Sequence, residues 1–221
     1  MLDGFNSPTE LVEKAKELGH PALAITDHGS IHGYLELYKA AKKNNIKPII
    51  GVEMYITNTF AEDGLAKELE KYHIIVLAKN EKGLKNLFQL VTLSNTEGFY
   101  YKPRITFEWL KEHSEGLIVS SACIQGEVAQ NIINNNIDKA KKYYKESIKI
   151  YKSRIKNSKN REDITANKLN LALAKKFIGD SSYMSDFEEL REIGNYSYLI
   201  DSIINKPREK IINDLINNYG T

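Results

Sequence analysis

Pro21-Ala-Leu-Ala-Ile-Thr-Asp-His-Gly29 and Ile46-Lys-Pro-Ile-Ile-Gly-Val-Glu53 decide the fold, because each runs a short apolar strand straight into an imidazole or a carboxylate. Runs of Ile, Val, Leu and Ala this short, bounded by Pro and Gly, predict strands over 22–25 and 48–52. Between them, residues 33–44 carry Leu35, Tyr38 and Ala41 at helical spacing, which predicts a helix burying those three. The unit is strand, helix, strand. Where parallel strands alternate with helices, side chains at the carboxyl ends of neighbouring strands converge on one rim, and such folds place their chemistry there.

The same alternation extends in both directions. Upstream, Ser7-Pro8-Thr9-Glu10 is a helix start, with Ser7 as cap, Pro8 at the first helical position and Glu10 reaching back. That helix presents Leu11, Val12, Ala15 and Leu18 on one face and stops at Gly19. Downstream, a polar loop over 61–71 precedes the strand Tyr72-His-Ile-Ile-Val-Leu-Ala78 and an Asn80-capped helix aligning Leu84, Leu87, Phe88 and Val91. Thr106 caps a short helix through Lys111, and Glu115-Gly-Leu-Ile-Val-Ser-Ser-Ala-Cys123 is a strand ending in small residues. This order predicts a largely parallel α/β core with right-handed crossovers.

Beyond residue 135 no buried strand recurs, and the chain divides into an α/β core over 1–135 and a mostly helical segment over 136–221. A helix over 137–155 places Tyr144, Ile148, Tyr151 and Ile155 on one stripe, 159–163 is a polar break, and 167–177 is helical again. Ile211, Ile212, Leu215, Ile216 and Tyr219 share one face of a final helix after Pro207.

With 221 residues and 42% hydrophobic content, the chain can bury one substantial core. A net charge of +2 and a pI near 8.4 are too mild to announce nucleic-acid binding by the whole chain. The positive charge is concentrated between Lys139 and Arg161, where ten Lys and Arg residues face only Glu146. A single cysteine, Cys123, excludes an internal disulfide, and no apolar run reaches the ~20 residues of a membrane span. A cytoplasmic protein with no membrane partner is expected.

Divalent metals take imidazole and carboxylate ligands, and thiolate favours the softer ions. Asp3, His28, Glu53, His73 and Cys123 are the candidate ligands, with His28, Glu53 and Cys123 at or just beyond strand ends. His73 precedes its strand, and reaches the same rim only if that strand runs antiparallel to residues 54–57. Asp27 and His32 stand close enough to His28 to support it from behind. Each group has a plain structural reading as well: Thr26-Asp-His-Gly29 as a turn, Glu53 as a surface carboxylate, Cys123 as a small buried hydrophobe. The recurrence of such groups at strand ends is what points to a metal. The chain contains no Gly-x-x-x-x-Gly-Lys-Ser/Thr loop, no Gly-x-Gly-x-x-Gly after a strand and no Gly-x-Ser-x-Gly turn. Lys142, Lys145, Lys149 and Lys152 of the basic helix are candidates for contact with nucleic-acid phosphates; the alternative is a solvated helix face.

With those groups placed, the chain resembles the amino-terminal PHP (polymerase and histidinol phosphatase) domain of bacterial DNA polymerase III alpha subunits. The resemblance is dense over 2–129. It rests on Leu2-Asp-Gly4, Leu11-Val-Glu-Lys-Ala-Lys-Glu-Leu-Gly19, Thr26-Asp-His-Gly29, Ile46 to Glu53, Tyr72-His73, Gly98-Phe-Tyr-Tyr-Lys-Pro-Arg-Ile105 and Ser121-Ala-Cys-Ile-Gln-Gly-Glu-Val-Ala129. It implies an α/β fold of the distorted (β/α)7 barrel type with a rim cleft for divalent metal (Zn, Mn or Mg), and ligand roles on Asp3, His28, Glu53, His73 and Cys123. The family's opening His-x-His motif has no counterpart before Met1-Leu-Asp-Gly4, and Ile178-Gly-Asp-Ser-Ser-Tyr183 does not supply its late Asn-Asp-x-His motif. An incomplete barrel with a degenerate metal site, binding metal weakly or not at all, is therefore expected. Polymerase palm, finger and thumb regions are likewise absent from the sequence. The resemblance implies a role in DNA replication, as a docking module for a proofreading exonuclease or the rest of the polymerase III core. The alternative it implies is an active metal-dependent phosphoesterase or 3′-5′ exonuclease acting on DNA ends.

Overall fold

A computed structural model describes residues 4, 6–58, 71–159 and 161–193. Asp3 and the helix expected after Pro207 lie outside the described residues, as does nearly all of the expected loop over 61–71. The chain forms two compact units, Met1–Glu127 and Val128–Thr221.

In the first unit the elements are α1 (Pro8–Glu17), β1 (Ala22–His28), α2 (Tyr34–Asn44), β2 (Lys47–Thr57), β3 (Tyr72–Ala78), α3 (Glu81–Thr96), β4 (Phe99–Tyr100), β5 (Lys102–Thr106), α4 (Phe107–Glu112) and β6 (Leu117–Ser121). The caps form as their residue types dictate. Ser7 and Glu10 make a reciprocal capping box on α1, Asn80 accepts from the Gly83 N–H, and Thr106 accepts from the Trp109 N–H.

The strands make one open six-stranded mixed sheet. β1 and β5 pair parallel with β2; β2 with β3, β3 with β6, and β4 with β5 are antiparallel. The largely parallel core expected from the sequence is thus corrected, and among the described residues the strands do not close into a (β/α)7 barrel. The reason is that β3 follows β2 without an intervening helix among the described residues and returns beside it, so that direction reverses at that pair.

β2 organises the unit. It is longer than expected, continuing through Met54-Tyr-Ile-Thr57, and β3 pairs with Gly51 to Ile56 along one edge. The opposite edge is shared end to end: β1 occupies Lys47 to Glu53, and β5 takes over at Tyr55. Side chains alternate along a strand. Val52, Met54 and Ile56 accordingly enter the core with Val76, Ile105, Leu37, Val12, Leu87 and Leu90, all within 2% of complete burial. Each such side chain contributes about 1.5–3 kcal/mol by leaving water. Glu53 and Tyr55 consequently face the other way.

Some of the expected buried faces are rotated. α2 buries Leu37, Ala40 and Ala41 and leaves Leu35 and Tyr38 exposed; α1 buries Val12 and Ala15 and leaves Leu18 exposed. In both cases small alanines sit where helix meets sheet or neighbouring helix, which apolar spacing alone does not weight.

In the second unit, α5 (Glu127–Ile133), whose first residue closes the first unit, leads to α6 (Ile137–Asn157), α7 (Arg161–Ile178) and α8 (Tyr183–Ile193). The break expected over 159–163 lies between Asn157, where α6 ends, and Arg161, where α7 begins; residues 161–163 already belong to the first turn of α7, where polar residues are tolerated. Ala172, Phe187 and Leu190 form its core, the Tyr144 and Phe177 rings stack at 4.0 Å, and Lys175 pairs with Asp186 at 2.6 Å. Burial among these groups pushes the Tyr144 phenol up from its ordinary range. Among the described residues, no helix is long and apolar enough to cross a membrane.

Candidate metal centre

The sheet register brings the candidate ligands together. His28, the last residue of β1, lies directly opposite Glu53 of β2, and His73 of β3 lies directly opposite Tyr55. Because Glu53 and Tyr55 are two residues apart, all four side chains project from the same face. The antiparallel direction of β3 is what carries His73 there. Glu53 is not at a strand end, as its sequence suggested; it lies mid-strand beside the point where β1 leaves the sheet and β5 joins it.

Gly29 makes that exit possible. Its N–H donates to the Glu53 carbonyl at 2.8 Å while its φ of 61° turns the chain away. A Cβ at this position would lie 2.5 Å from Pro103 Cγ and 3.3 Å from Tyr55 Cε2. Only glycine combines the left-handed turn with so close an approach.

The Glu53 carboxylate bridges two imidazoles. Oε2 lies 2.9 Å from His28 Nδ1 and Oε1 lies 3.1 Å from His73 Nδ1. Cys123, just beyond β6, places Sγ 3.4 Å from the same His73 nitrogen, and the Gln125 N–H donates to that sulfur at 3.4 Å. The Glu53 and His73 side chains are 12% and 15% exposed, whereas His28 is 38% exposed, so the cluster has one wall open to solvent.

These separations suit a shared cation. Donor atoms held at about 2.0–2.3 Å from one tetrahedral ion are necessarily about 3.3–3.8 Å from each other. One ligand atom each from His28, Glu53 and His73 lie within 4.8 Å of one another, so shifts of up to about an ångström would bring them to that spacing. Two nitrogens, one oxygen and a nearby sulfur form a borderline-soft set that favours Zn²⁺ over the oxygen-seeking Mg²⁺.

The other sequence candidates stand apart. Asp27 points to the opposite face of β1, where its Oδ2 accepts the Gly33 N–H at 2.8 Å and braces the turn into α2. His32 is exposed in that turn and does not join the cluster. Lys142, Lys145, Lys149 and Lys152 lie exposed on α6, in the second unit.

Two residues of the cluster were not singled out from the sequence. Tyr55, 7% exposed, stacks on His28 at 6.3 Å between centroids and meets His73 edge-on at 4.9 Å. Lys102 holds its ammonium 4.5 Å from the Tyr55 ring centroid and donates to the Tyr55 hydroxyl at 3.2 Å. Tyr55 was legible as the same-face neighbour of Glu53. Nothing local marks Lys102.

Comparison with known proteins agrees with this architecture. The PHP domain family matches residues 1–156. The DNA polymerase III subunit alpha of Aquifex aeolicus is 44% identical over 152 residues, covering 66% of this chain and 13% of that protein. Its counterpart in Borreliella burgdorferi is 46% identical over 145 residues, covering 64% and 12%, and that of Helicobacter pylori 44% over 145 residues, covering 65% and 12%. This chain therefore spans about an eighth of the length of these relatives. Among solved structures, an amidohydrolase from Chromobacterium violaceum aligns over 42% of this chain and 29% of its own at 25% identity, with a TM-score of 0.31, an overlap too small to bear on function. A mixed sheet that gathers two imidazoles and a carboxylate on one face, together with a family match over residues 1–156, places this chain in the PHP domain family.

Proposed function

We propose that this chain is the PHP module of a DNA polymerase III alpha-type protein, that it holds a single divalent ion, and that it serves replication as a docking platform. The observation that carries the metal assignment is the Glu53 carboxylate lying within 3.1 Å of both His28 and His73. The similarity to polymerase subunits supports the replication context. Docking is taken first because His28, Glu53 and His73, with Cys123 beside them, form one compact donor set suited to a single ion. Two-metal phosphoester chemistry uses a pair of ions about 3.5–4 Å apart to clamp the entering and leaving oxygens. His28, Glu53 and His73, with Cys123 beside them, would hold one ion and tie β1, β2, β3 and the end of β6 together. The gain from such a tie is folding free energy. On this reading the site is degenerate as an enzyme and intact as a structural staple, and the proteins it docks are the proofreading exonuclease and the remaining polymerase core.

One observation favours a second reading, a metal-dependent phosphoesterase or 3′-5′ exonuclease. Lys102 holds a cation at the edge of the cluster through the Tyr55 hydroxyl, where it would meet the phosphate of a substrate. A divalent ion in this site would supply Lewis-acid polarisation of a phosphoryl oxygen. The residues themselves would orient the ester: Lys102 by charge, Tyr55 by fixing the imidazole planes.

Metal analysis of the purified chain, paired with a nuclease assay of wild type and His28→Ala, separates the two. The platform reading expects about one zinc per chain, loss of that zinc in His28→Ala, and no nuclease activity above the variant's background. Activity abolished by His28→Ala would favour the phosphoesterase instead. A wild-type protein that retains no zinc after equilibration with the free ion would overturn the metal site itself.

A further inference from the structure

α6 carries Lys142, Lys145, Lys149, Lys152 and Lys156 at steps of three and four residues, the spacing that keeps side chains on one face of a helix. All five are exposed. At about 1.5 Å rise per residue the row runs for about 21 Å. Glu146 pairs with Lys149 at 2.9 Å, but both side chains are more than half exposed, so the pair is weak and leaves the field positive. Lys152 also lies near enough to Asp180 to help hold that carboxyl below its ordinary range. Lys142, Lys145 and Lys156 have no ion-pair partner among the described residues.

We propose that this face of α6 binds the phosphate backbone of DNA, without regard to base sequence. Like charges at such spacing destabilise an isolated helix, so the row is held in place by the packing of the helix and not by the charges. That packing uses the flanking stripe. Tyr144, Ile148, Tyr151 and Ile155 are half-buried, with Tyr144 stacked on Phe177 of α7. A membrane-surface helix needs its apolar face available to lipid. Here that stripe is already half-buried, and what lies exposed beside it is a line of point charges. Lysine suits such a contact, because its ammonium meets phosphate oxygens from any direction, whereas bidentate base recognition needs arginine.

The test is fluorescence anisotropy of a labelled random-sequence DNA duplex with the full chain across a salt series. Five neutralised phosphates give a slope of log K against log salt of about −4.5, equivalent to a loss of about 500-fold between 50 and 200 mM. Replacing all five lysines by Gln, a comparably good helix former, is expected to weaken binding at the lowest salt at least a hundredfold and to flatten the slope. A matched variant with Lys14, Lys16, Lys39, Lys42 and Lys43 of α1 and α2 changed to Gln is expected to bind as wild type does. Circular dichroism checks that both variants keep their helices. Absence of duplex binding by wild type, an unchanged slope in the α6 variant, or an equal loss in the α1 and α2 variant would each overturn the proposal. So would binding to phosphatidylserine vesicles in preference to the duplex.

Discussion

Gly29→Ala isolates the feature on which the candidate metal centre depends, the close passage of the chain leaving β1 past the start of β5. An alanine there meets two costs. A φ of 61° puts a Cβ against the neighbouring carbonyl, worth about 1–2 kcal/mol. The same Cβ would stand 2.5 Å from Pro103 Cγ, where carbon atoms rest at about 3.5–4.0 Å, so something must yield by about 1 Å. Pro103 cannot swing aside, because its ring is closed on the backbone of β5, and Tyr55 fills the other side at 3.3 Å. Forced overpacking of this kind costs about 1–3 kcal/mol. The expected loss is about 2–5 kcal/mol, a large part of the about 5–15 kcal/mol that holds a domain together.

Gly19 provides the control. Its φ is 72°, yet a Cβ there meets nothing within 4 Å, so Gly19→Ala carries the backbone cost alone. Trp109, the sole tryptophan, packs half-buried against the core of the first unit, so its fluorescence during urea unfolding reports on that unit. The midpoint of Gly29→Ala is expected to fall clearly further than that of Gly19→Ala at equal slope. Adding Pro103→Ala should return much of the difference, since it removes the atom that is struck. Equal midpoints for the two glycine variants, or no recovery in the double variant, would refute the account of how β1 and β5 share the edge of β2.

Leu87→Ala removes a side chain with no exposed surface from the contact between α3 and the sheet, and should lower stability by about 2–5 kcal/mol in the same tryptophan-monitored urea titration. Ser7→Ala opens the capping box of α1 and is expected to cost about 1 kcal/mol at neutral pH. Hydrogen bonds from the Ser7 backbone N–H and hydroxyl hold the Glu10 carboxyl below its ordinary value, so this stabilisation is present above the unfolded-state pKa and disappears as pH falls through the lowered one. The part of the gap between wild type and Ser7→Ala that comes from the hydroxyl bond to Glu10 should therefore shrink in urea unfolding as pH falls below the ordinary carboxylate range.

What could be read in the sequence, and what could not, divides along the range of the interactions involved. Helix caps are local, and Ser7, Asn80 and Thr106 each act where the sequence places a cap. Strand interiors are local as well, through the apolar runs at 22–25, 48–52 and 72–78. The edges of elements are not. β2 extends to Thr57 because β3 and β5 pair with its second half, a fact carried by residues far along the chain, from Tyr72 opposite Ile56 to Thr106 opposite Thr57. β5 has no local signature, because Lys102-Pro-Arg has the composition of a turn and becomes a strand only beside β2. α8 has local signals of its own, since Asp180 and Ser182 form a turn before it and Tyr183, Phe187 and Leu190 repeat with helical spacing. The cluster shows the same division: His28 and Glu53 stand out as polar ends of apolar runs, whereas Lys102 joins them only through the ring of Tyr55. The direction of β3 is the decisive long-range element. Had it run parallel to β2, His73 would stand at the far end of the sheet from Tyr55, and Glu53 would face one imidazole instead of two. One strand reversal thus converts a histidine at the start of its strand into a neighbour of a carboxylate 20 residues earlier.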